Sequence, residues 1–138
     1  MSVVETVRDK LLGGIAVDWD RVQPIPLTQR EIHDLLSSDR RRILVSVLVD
    51  DRDGTATLAE LTQDIARIEN GIPQNEEVTT RQRKRTYVSL YQTHLPKLEM
   101  HGVVEWDDDD NTIHATTAAV GLAKVVRGVN RVTAGVPA

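Results

Sequence analysis

Apolar positions recur at steps of three and four residues through most of this chain and give way to strand-like stretches only twice. Val3, Val4, Val7, Leu11 and Leu12 stripe the segment Ser2 to Ile15, a predicted amphipathic helix that meets Gly13-Gly14. Residues 16–27 hold Pro24 and Pro26 without periodicity and read as a linker or extended arm. Thr28 is a predicted N-cap, with Glu31 completing a capping box for a helix through Leu36. Ser38 or Asp39 opens the next helix, whose apolar face is Ile43, Leu44, Val47 and Leu48, and Asp50-Asp51 closes it before Gly54. After the β-prone Thr55-Ala56-Thr57, the residues Leu58, Leu61, Ile65 and Ile68 mark a helix that stops at Asn70-Gly71. A polar loop with Pro73 follows. Thr79 or Thr80 caps the longest predicted helix, carried by Val88, Tyr91, Leu95 and Leu98 to His101-Gly102, with Pro96 bending its last turns. Val103 to Trp106 and Thr112 to Ala115 read as two strands around an Asp107 to Asn111 turn. Thr117 caps a final helix with Leu122, Val125, Val126, Val129 and Val132 along one side.

Helices first and a hairpin last, with a short strand between, is the order of a winged helix-turn-helix. The expected fold is therefore α+β and mostly helical, a winged helix-turn-helix with helical extensions at both ends. Its expected division is an N-terminal helix and arm over 1–27, the winged domain over 28–116, and a C-terminal dimerisation helix and tail over 117–138. At 138 residues the chain has room for one such core and not for two.

Composition narrows the function. Zero cysteines exclude disulfide frameworks, thiolate zinc sites and cysteine nucleophiles. There is no run of 18 apolar residues, and the start Met1-Ser2-Val3-Val4-Glu5 lacks a secretory pattern, so a cytoplasmic protein without a membrane role is expected. The net charge of -4 conceals a more useful distribution. Asp50 to Glu77 holds eight acids against Arg52 and Arg67. Val78 to Leu98 then holds Arg81, Arg83, Lys84, Arg85 and Lys97 with no acid, and Glu105 to Asp110 returns five acids. One basic island sits in an acidic protein. The 17 cations are 13 Arg and 4 Lys, and with abundant Asp and no Phe this suits a salt-rich cytoplasm, GC-rich codon bias being the alternative.

The segment Ser89-Leu90-Tyr91-Gln92-Thr93-His94-Leu95-Pro96-Lys97-Leu98-Glu99-Met100-His101-Gly102-Val103-Val104 resembles the end of the recognition helix and the start of the wing in ArsR-like winged-helix repressors. Asp39-Arg40-Arg41-Arg42-Ile43-Leu44, Leu58-Ala59-Glu60-Leu61, Ile68-Glu69-Asn70-Gly71 and Arg83 to Leu98 together are similar to a largely uncharacterised haloarchaeal winged-helix family. The resemblance covers about Leu35 to Ala115 and implies transcriptional regulation by binding double-stranded DNA. Two departures stand out. The Gly71 to Val78 loop is longer than a tight helix-turn-helix turn, and the wing tip Asp107-Asp108-Asp109-Asp110 is acidic where ArsR-like wings often present cations.

On a 100° wheel, Val88, Tyr91 and Leu95 fall on one side of the Thr79 to Lys97 helix, the expected core side. Gln82, Thr86, Ser89 and Thr93 fall on the other, between Arg83 and Arg85, and are expected to read base edges in the major groove. Leu90 lies on that outward side and is a candidate for a thymine methyl. Arg81 and Lys84 fall nearer the core and reach only backbone phosphate, and Lys97 completes the set. Arg41, within Arg40-Arg41-Arg42, either holds a phosphate or belongs to a triplet paired with the Asp50 to Glu77 acids. Tyr87, Tyr91, Trp19 and Trp106 are expected to pack rather than to stack on bases.

His33, His94, His101 and His114 raise a metal hypothesis, but no paired carboxylate at ligand spacing accompanies them, and His94 is expected to be packed and hydrogen-bonded. No metal and no cofactor are expected. With no phosphate loop or nucleophile motif, neither is an enzyme. Val7 and Leu11 at one end, and Leu122, Val125, Val126 and Val129 at the other, are expected to form a homodimer interface, the alternative being that each helix folds back on its own domain. The competing function is a winged-helix protein-interaction module without DNA contact, engaging other transcription proteins.

Overall fold

The structure, a computed structural model, describes residues 25–134. The helix expected over Ser2 to Ile15, with Val7 and Leu11, lies outside the described residues, as do Trp19 and most of the arm.

Local side-chain chemistry starts four of the six described helices. Helix α1, Gln29–Leu35, opens with a capping box: the Thr28 hydroxyl accepts the Glu31 N–H at 3.1 Å, and the Glu31 carboxylate accepts the Thr28 N–H at 3.1 Å. Helix α2, Asp39–Ser46, is capped by Ser38 and runs on into a wide π turn over Val47–Asp51. Strand β1, Thr55–Thr57, leads directly into α3, Leu58–Glu69, whose Thr57–Glu60 capping box repeats that of α1. Helix α4, Thr80–Ser89, carries a third box built from Thr79 and Gln82. The chain then passes through a second π turn, Leu90–His94, into α5, Leu95–Met100. Strands β2, Val104–Asp107, and β3, Thr112–Ala115, form the hairpin, and α6, Thr117–Ala134, closes the described chain.

The three strands make one antiparallel sheet in the order β1-β3-β2. Ala56 pairs with Ile113, and Trp106 pairs with Ile113 from the other side, so these residues share the face turned to the helices. Leu35, Leu44, Leu48, Leu58, Leu61, Ile65, Leu90, Leu95, Leu98 and Leu122 fill the core behind that face, and Trp106 packs against it partly buried. Helix α2 lies between α3 and α6, and α3 lies against α4. This mostly helical α+β architecture agrees with the expected fold class and is compatible with a winged helix-turn-helix.

The long loop between α3 and α4 is fastened at both ends. Gly71 adopts a positive φ of 61° at the end of α3, and Ile72 N–H returns to the Arg67 carbonyl at 3.0 Å. The Arg67 guanidinium donates to the carbonyls of Pro73 and Glu76, while Val78 is buried. One arginine therefore organises the segment that replaces a tight turn.

The phase of α4 differs from the wheel. Pro96 has no N–H to donate to the Gln92 carbonyl, and its ring crowds that carbonyl. The expected bend is instead a widened turn, in which Leu95 N–H reaches the Leu90 carbonyl five residues back. A π turn inserts one residue, so the inward positions before it fall one residue away from those extrapolated back from Leu95. Leu90 is fully buried, with 0% exposure, and Thr86 is 2% exposed, whereas Val88 is 40% and Tyr91 48% exposed. Val88 and Tyr91, expected inward, are thus exposed, and Thr86 and Leu90, expected outward, are buried, while Leu95 and Thr93 lie as expected.

This assignment makes a stability prediction. Leu90→Ala should lower the unfolding free energy by about 2–5 kcal/mol, the usual range for a fully buried leucine. Val88→Ala should change it by no more than about 0.5 kcal/mol, as at an exposed site. Urea denaturation with an unchanged m-value checks both, and equal losses would contradict the phase described.

Candidate nucleic-acid interface

The cations of the chain divide into two groups by what they touch. Arg40 donates to Glu69 at 2.7 Å, so the first of the three consecutive arginines pairs with the acidic stretch. Arg52 holds Asp64 with two nitrogens, at 2.8 and 3.1 Å, and Glu60 with a third at 2.8 Å. Arg127 pairs with Asp50. Lys97 pairs with Asp34 at 2.8 Å and so joins α5 to α1. Arg81, Lys84 and Arg85, in contrast, are exposed and, like the scattered Arg30 and Arg131, make no ion pair or hydrogen bond with any described residue, and these three lie together on one helix.

Arg41 departs furthest from expectation. It is buried, and its guanidinium donates to the carbonyls of Leu35 at 2.7 Å and Asp34 at 2.9 Å, closing the open end of α1. Arg42 likewise donates to the Leu36 carbonyl, at 2.5 Å, and to Asp39. Neither guanidinium is presented to a phosphate, because the α1–α2 corner leaves carbonyls that need donors. The third Arg41 contact is His94 Nδ1 at 3.4 Å, which leaves that nitrogen as acceptor. Burial above all, then the charges of Arg41 and Arg40, holds the His94 imidazole below its ordinary value. His94 is packed and bonded as expected.

The remaining predicted residues scatter around α4. The Gln82 amide oxygen is occupied by the Thr79 N–H, so the amide is not free to make a two-point contact with a base. Thr86 is buried and Ser89 half-buried, and neither is placed to read bases. Thr93 is exposed. Arg83 is exposed but turned toward α3, its Nη1 3.5 Å from Gln63 Oε1. The outward surface is instead Arg81, Lys84, Arg85, Val88 and Gln92, at successive steps of three, one, three and four residues, with Tyr87 and Tyr91 along its edge. Leu90, expected to meet a thymine methyl, is core.

An aromatic row ties this helix to the hairpin. Tyr87 and Tyr91 stack with centroids 5.9 Å apart and planes at 14°, and Tyr91 meets Trp106 of β2 edge-on at 5.2 Å and 89°. Trp106 is fixed in turn by its Nε1–H to Asn111 at 3.3 Å and by its backbone N–H to the Glu99 carboxylate at 3.2 Å. At the wing tip, Asp107 and Asp110 accept the backbone N–H groups of Asp109 and Thr112, so two of the four acids shape the turn. Sequence reasoning missed Tyr87, Val88, Tyr91 and Gln92 as surface groups. The available signal was Leu90, a large aliphatic left outside the stripe, five residues before Leu95 and six before Pro96.

A family model described as a domain of unknown function, DUF7344, matches residues 33–114. The chain belongs to the DUF7344 family. No curated protein and no solved structure matches it. The DUF7344 segment runs from within α1 to the end of β3 and so contains the α4 stripe, the aromatic row and the wing, while α6 lies outside it. In α6, Leu122 belongs to the core and Val126 is buried, so both expected interface residues are committed to their own fold. Val125 is half-buried and Val129 exposed. Among the described residues, no helix is long and apolar enough to cross a membrane, and no cluster of three or more His, Asp or Glu is arranged to hold a metal ion.

The His94 environment fixes the sign of a pH effect. Because the folded state favours the neutral imidazole, the unfolded chain takes up this proton first as pH falls. The stability due to neutral His94 is complete above the ordinary value of 6.5 and declines as pH drops through it toward the lower folded value. Arg40, Arg41 and Lys97 oppose protonation and Glu69 favours it. His94→Gln should flatten the stability profile between about pH 8 and 5, measured by urea titration. An unchanged slope would show that another group carries the dependence.

Proposed function

We propose that this DUF7344 protein is a sequence-specific, DNA-binding transcriptional regulator of ArsR-like type, with α4 as the helix that enters the major groove. One observation carries the reading. Arg81, Lys84 and Arg85, on the exposed face of a helix with no acid in its first turn, have no acidic partner among the described residues, while Arg40, Arg52, Lys97 and Arg127 are paired.

That arrangement works against the isolated domain, because cations in the first turns of a helix oppose its positive dipole end. A phosphate relieves the conflict, since it is attracted both by the guanidinium and ammonium groups and by the helix N-terminus. From Arg81 to Gln92 the outward stripe extends about 16 Å at helical rise, and a helix of ordinary width fits the roughly 12 Å major groove. Arg81, Lys84 and Arg85 then serve phosphate or guanine, Gln92 has the amide that pairs with adenine, and Thr93 lies beside it. The acidic wing is not a phosphate grip. Its repulsion is confined to about 10 Å at 0.1 M salt and to about 3 Å at 1 M.

Three cations give one copy only a modest electrostatic hold, which favours a dimer reading two half-sites about 34 Å apart. The competing reading as a protein-interaction module gains from the exposed aromatic edge, and the same binding experiment separates the two.

Fluorescence anisotropy with a mixed-sequence 30-base-pair duplex across a potassium chloride series is the test. Each of Lys84→Ala and Arg85→Ala should weaken binding and reduce the slope of log K against log salt by about 0.9. Arg40→Ala, which removes a cation already paired with Glu69, should leave the slope unchanged. Absence of duplex binding at every salt concentration would overturn the proposal. Sedimentation with and without the duplex should show two copies per DNA, and a strict one-to-one complex would remove the dimer.

A further inference from the structure

Directly beside three cations, Arg81, Lys84 and Arg85, that have no acidic partner among the described residues, Val88, Tyr87 and Tyr91 form an exposed apolar patch. Their exposures are 40%, 39% and 48%. Leaving three such side chains in water on a helix that is otherwise strongly polar has a cost that a partner surface would remove. The flanking Arg81, Lys84 and Arg85 require that surface to be anionic around its margin. A duplex major groove has that composition, with phosphates at its edges and one kind of apolar group on its floor, the methyl at C5 of thymine.

We infer that this patch reads thymine methyl groups, so that the proposed regulator prefers A·T pairs in the groove. The inference rests on the DNA-binding reading and goes further by naming the base chemistry. Val88 lies four residues before Gln92 and shares its side of the helix. An amide that pairs with adenine and a side chain that covers the methyl of thymine would recognise the same kind of base pair. Tyr91 is held for this role by Tyr87 stacked on one side and by the Trp106 ring edge-on at 5.2 Å. Little ordering of that ring remains to be done on binding. Thr86 and Leu90, which lie on the opposite face, contribute nothing to the contact.

The experiment uses the full chain and four 30-base-pair duplexes: alternating A·T, alternating A·U, alternating G·C, and alternating G·C with every cytosine methylated at C5. Uracil differs from thymine only by the missing methyl, and 5-methylcytosine presents a methyl at the same groove position. Each methyl covered should contribute about four-fold in affinity. The A·T duplex should therefore bind at least about four-fold tighter than A·U, and methylated G·C tighter than unmodified G·C. In Val88→Ala, exposed and making none of the ring contacts that tie the helix to the hairpin, the A·T to A·U ratio should fall toward one while the salt slope is retained. Equal affinity for A·T and A·U in the unaltered protein would overturn this inference and leave the DNA-binding reading intact. No binding to any of the four at any salt would overturn both. Tighter binding to single-stranded oligothymidine than to any duplex would overturn the groove contact in favour of ring stacking on bases.

Discussion

Leu90 and Leu95 are both fully buried although five residues apart, and a helix can bring both to one face only by widening a turn. The π turn between them is the constraint on which the surface of α4 depends. Pro96 removes the N–H that a regular helix would need at that point, so the wider turn gives up little hydrogen bonding that was still available. In return two leucines enter the core, and every residue before the turn is rotated by one position relative to those after it. Arg81, Lys84 and Val88, before the turn, and Tyr91, within it, face solvent. A straight helix with the same sequence would bury Val88 and Tyr91 and expose Leu90, with no contiguous cationic and apolar stripe.

This explains what the sequence made legible and what it did not. The Thr28–Glu31 capping box and the Thr79 cap are local, chemically specific and nearly independent of tertiary context, and both appear as expected, while the Thr57–Glu60 box of the same kind went unread. The strand pair and its Asp-rich turn are equally local. The phase of α4 is not, because a wheel assumes a constant 100° per residue and a single inserted residue defeats it. Arg41 failed for a different reason. Three consecutive arginines look alike in sequence, yet one is buried on the carbonyls of Leu35 and Asp34, one pairs with Glu69, and one reaches the Leu36 carbonyl. Which of them does which depends on how α1 ends against α2, a relation that spacing does not contain.

The histidines and acids of α1 and α5 illustrate how the same residues hold the platform for α4. Lys97 pairs with Asp34, His101 with Glu31 at 2.9 Å, and His94 receives Arg41, so one side of the helix after the π turn is clamped to α1 and its capping arginine. The Glu31 carboxyl is held below its ordinary value chiefly by the backbone N–H of Thr28, with His101 adding to it. One carboxylate thus caps α1 and anchors α5. The clamp lies on the face away from the outward stripe, so the polar groups that fix the helix do not compete with those left for a partner.

The pairing of cations with an apolar edge has a physical consequence for the proposed DNA complex as salt varies. Phosphate contacts lose strength steeply as salt rises, because the counterions they release are no longer diluted. Apolar contacts follow the opposite trend or change little. A surface built only from Arg81, Lys84 and Arg85 would hold DNA loosely once salt is high, and one built only from Val88 and the tyrosines would have no orientation in the groove. Placed one helical turn apart on a rigid helix, the two kinds of contact divide the task. In the proposed complex the cations would draw and align the duplex, and the apolar edge would keep a short-range contact that screening does not reach. The acidic hairpin turn fits this division, since its long-range repulsion of a duplex would fade under the same conditions that weaken the cationic attraction, and the balance at the proposed contact would then rest on shape and on the groups facing the base edges.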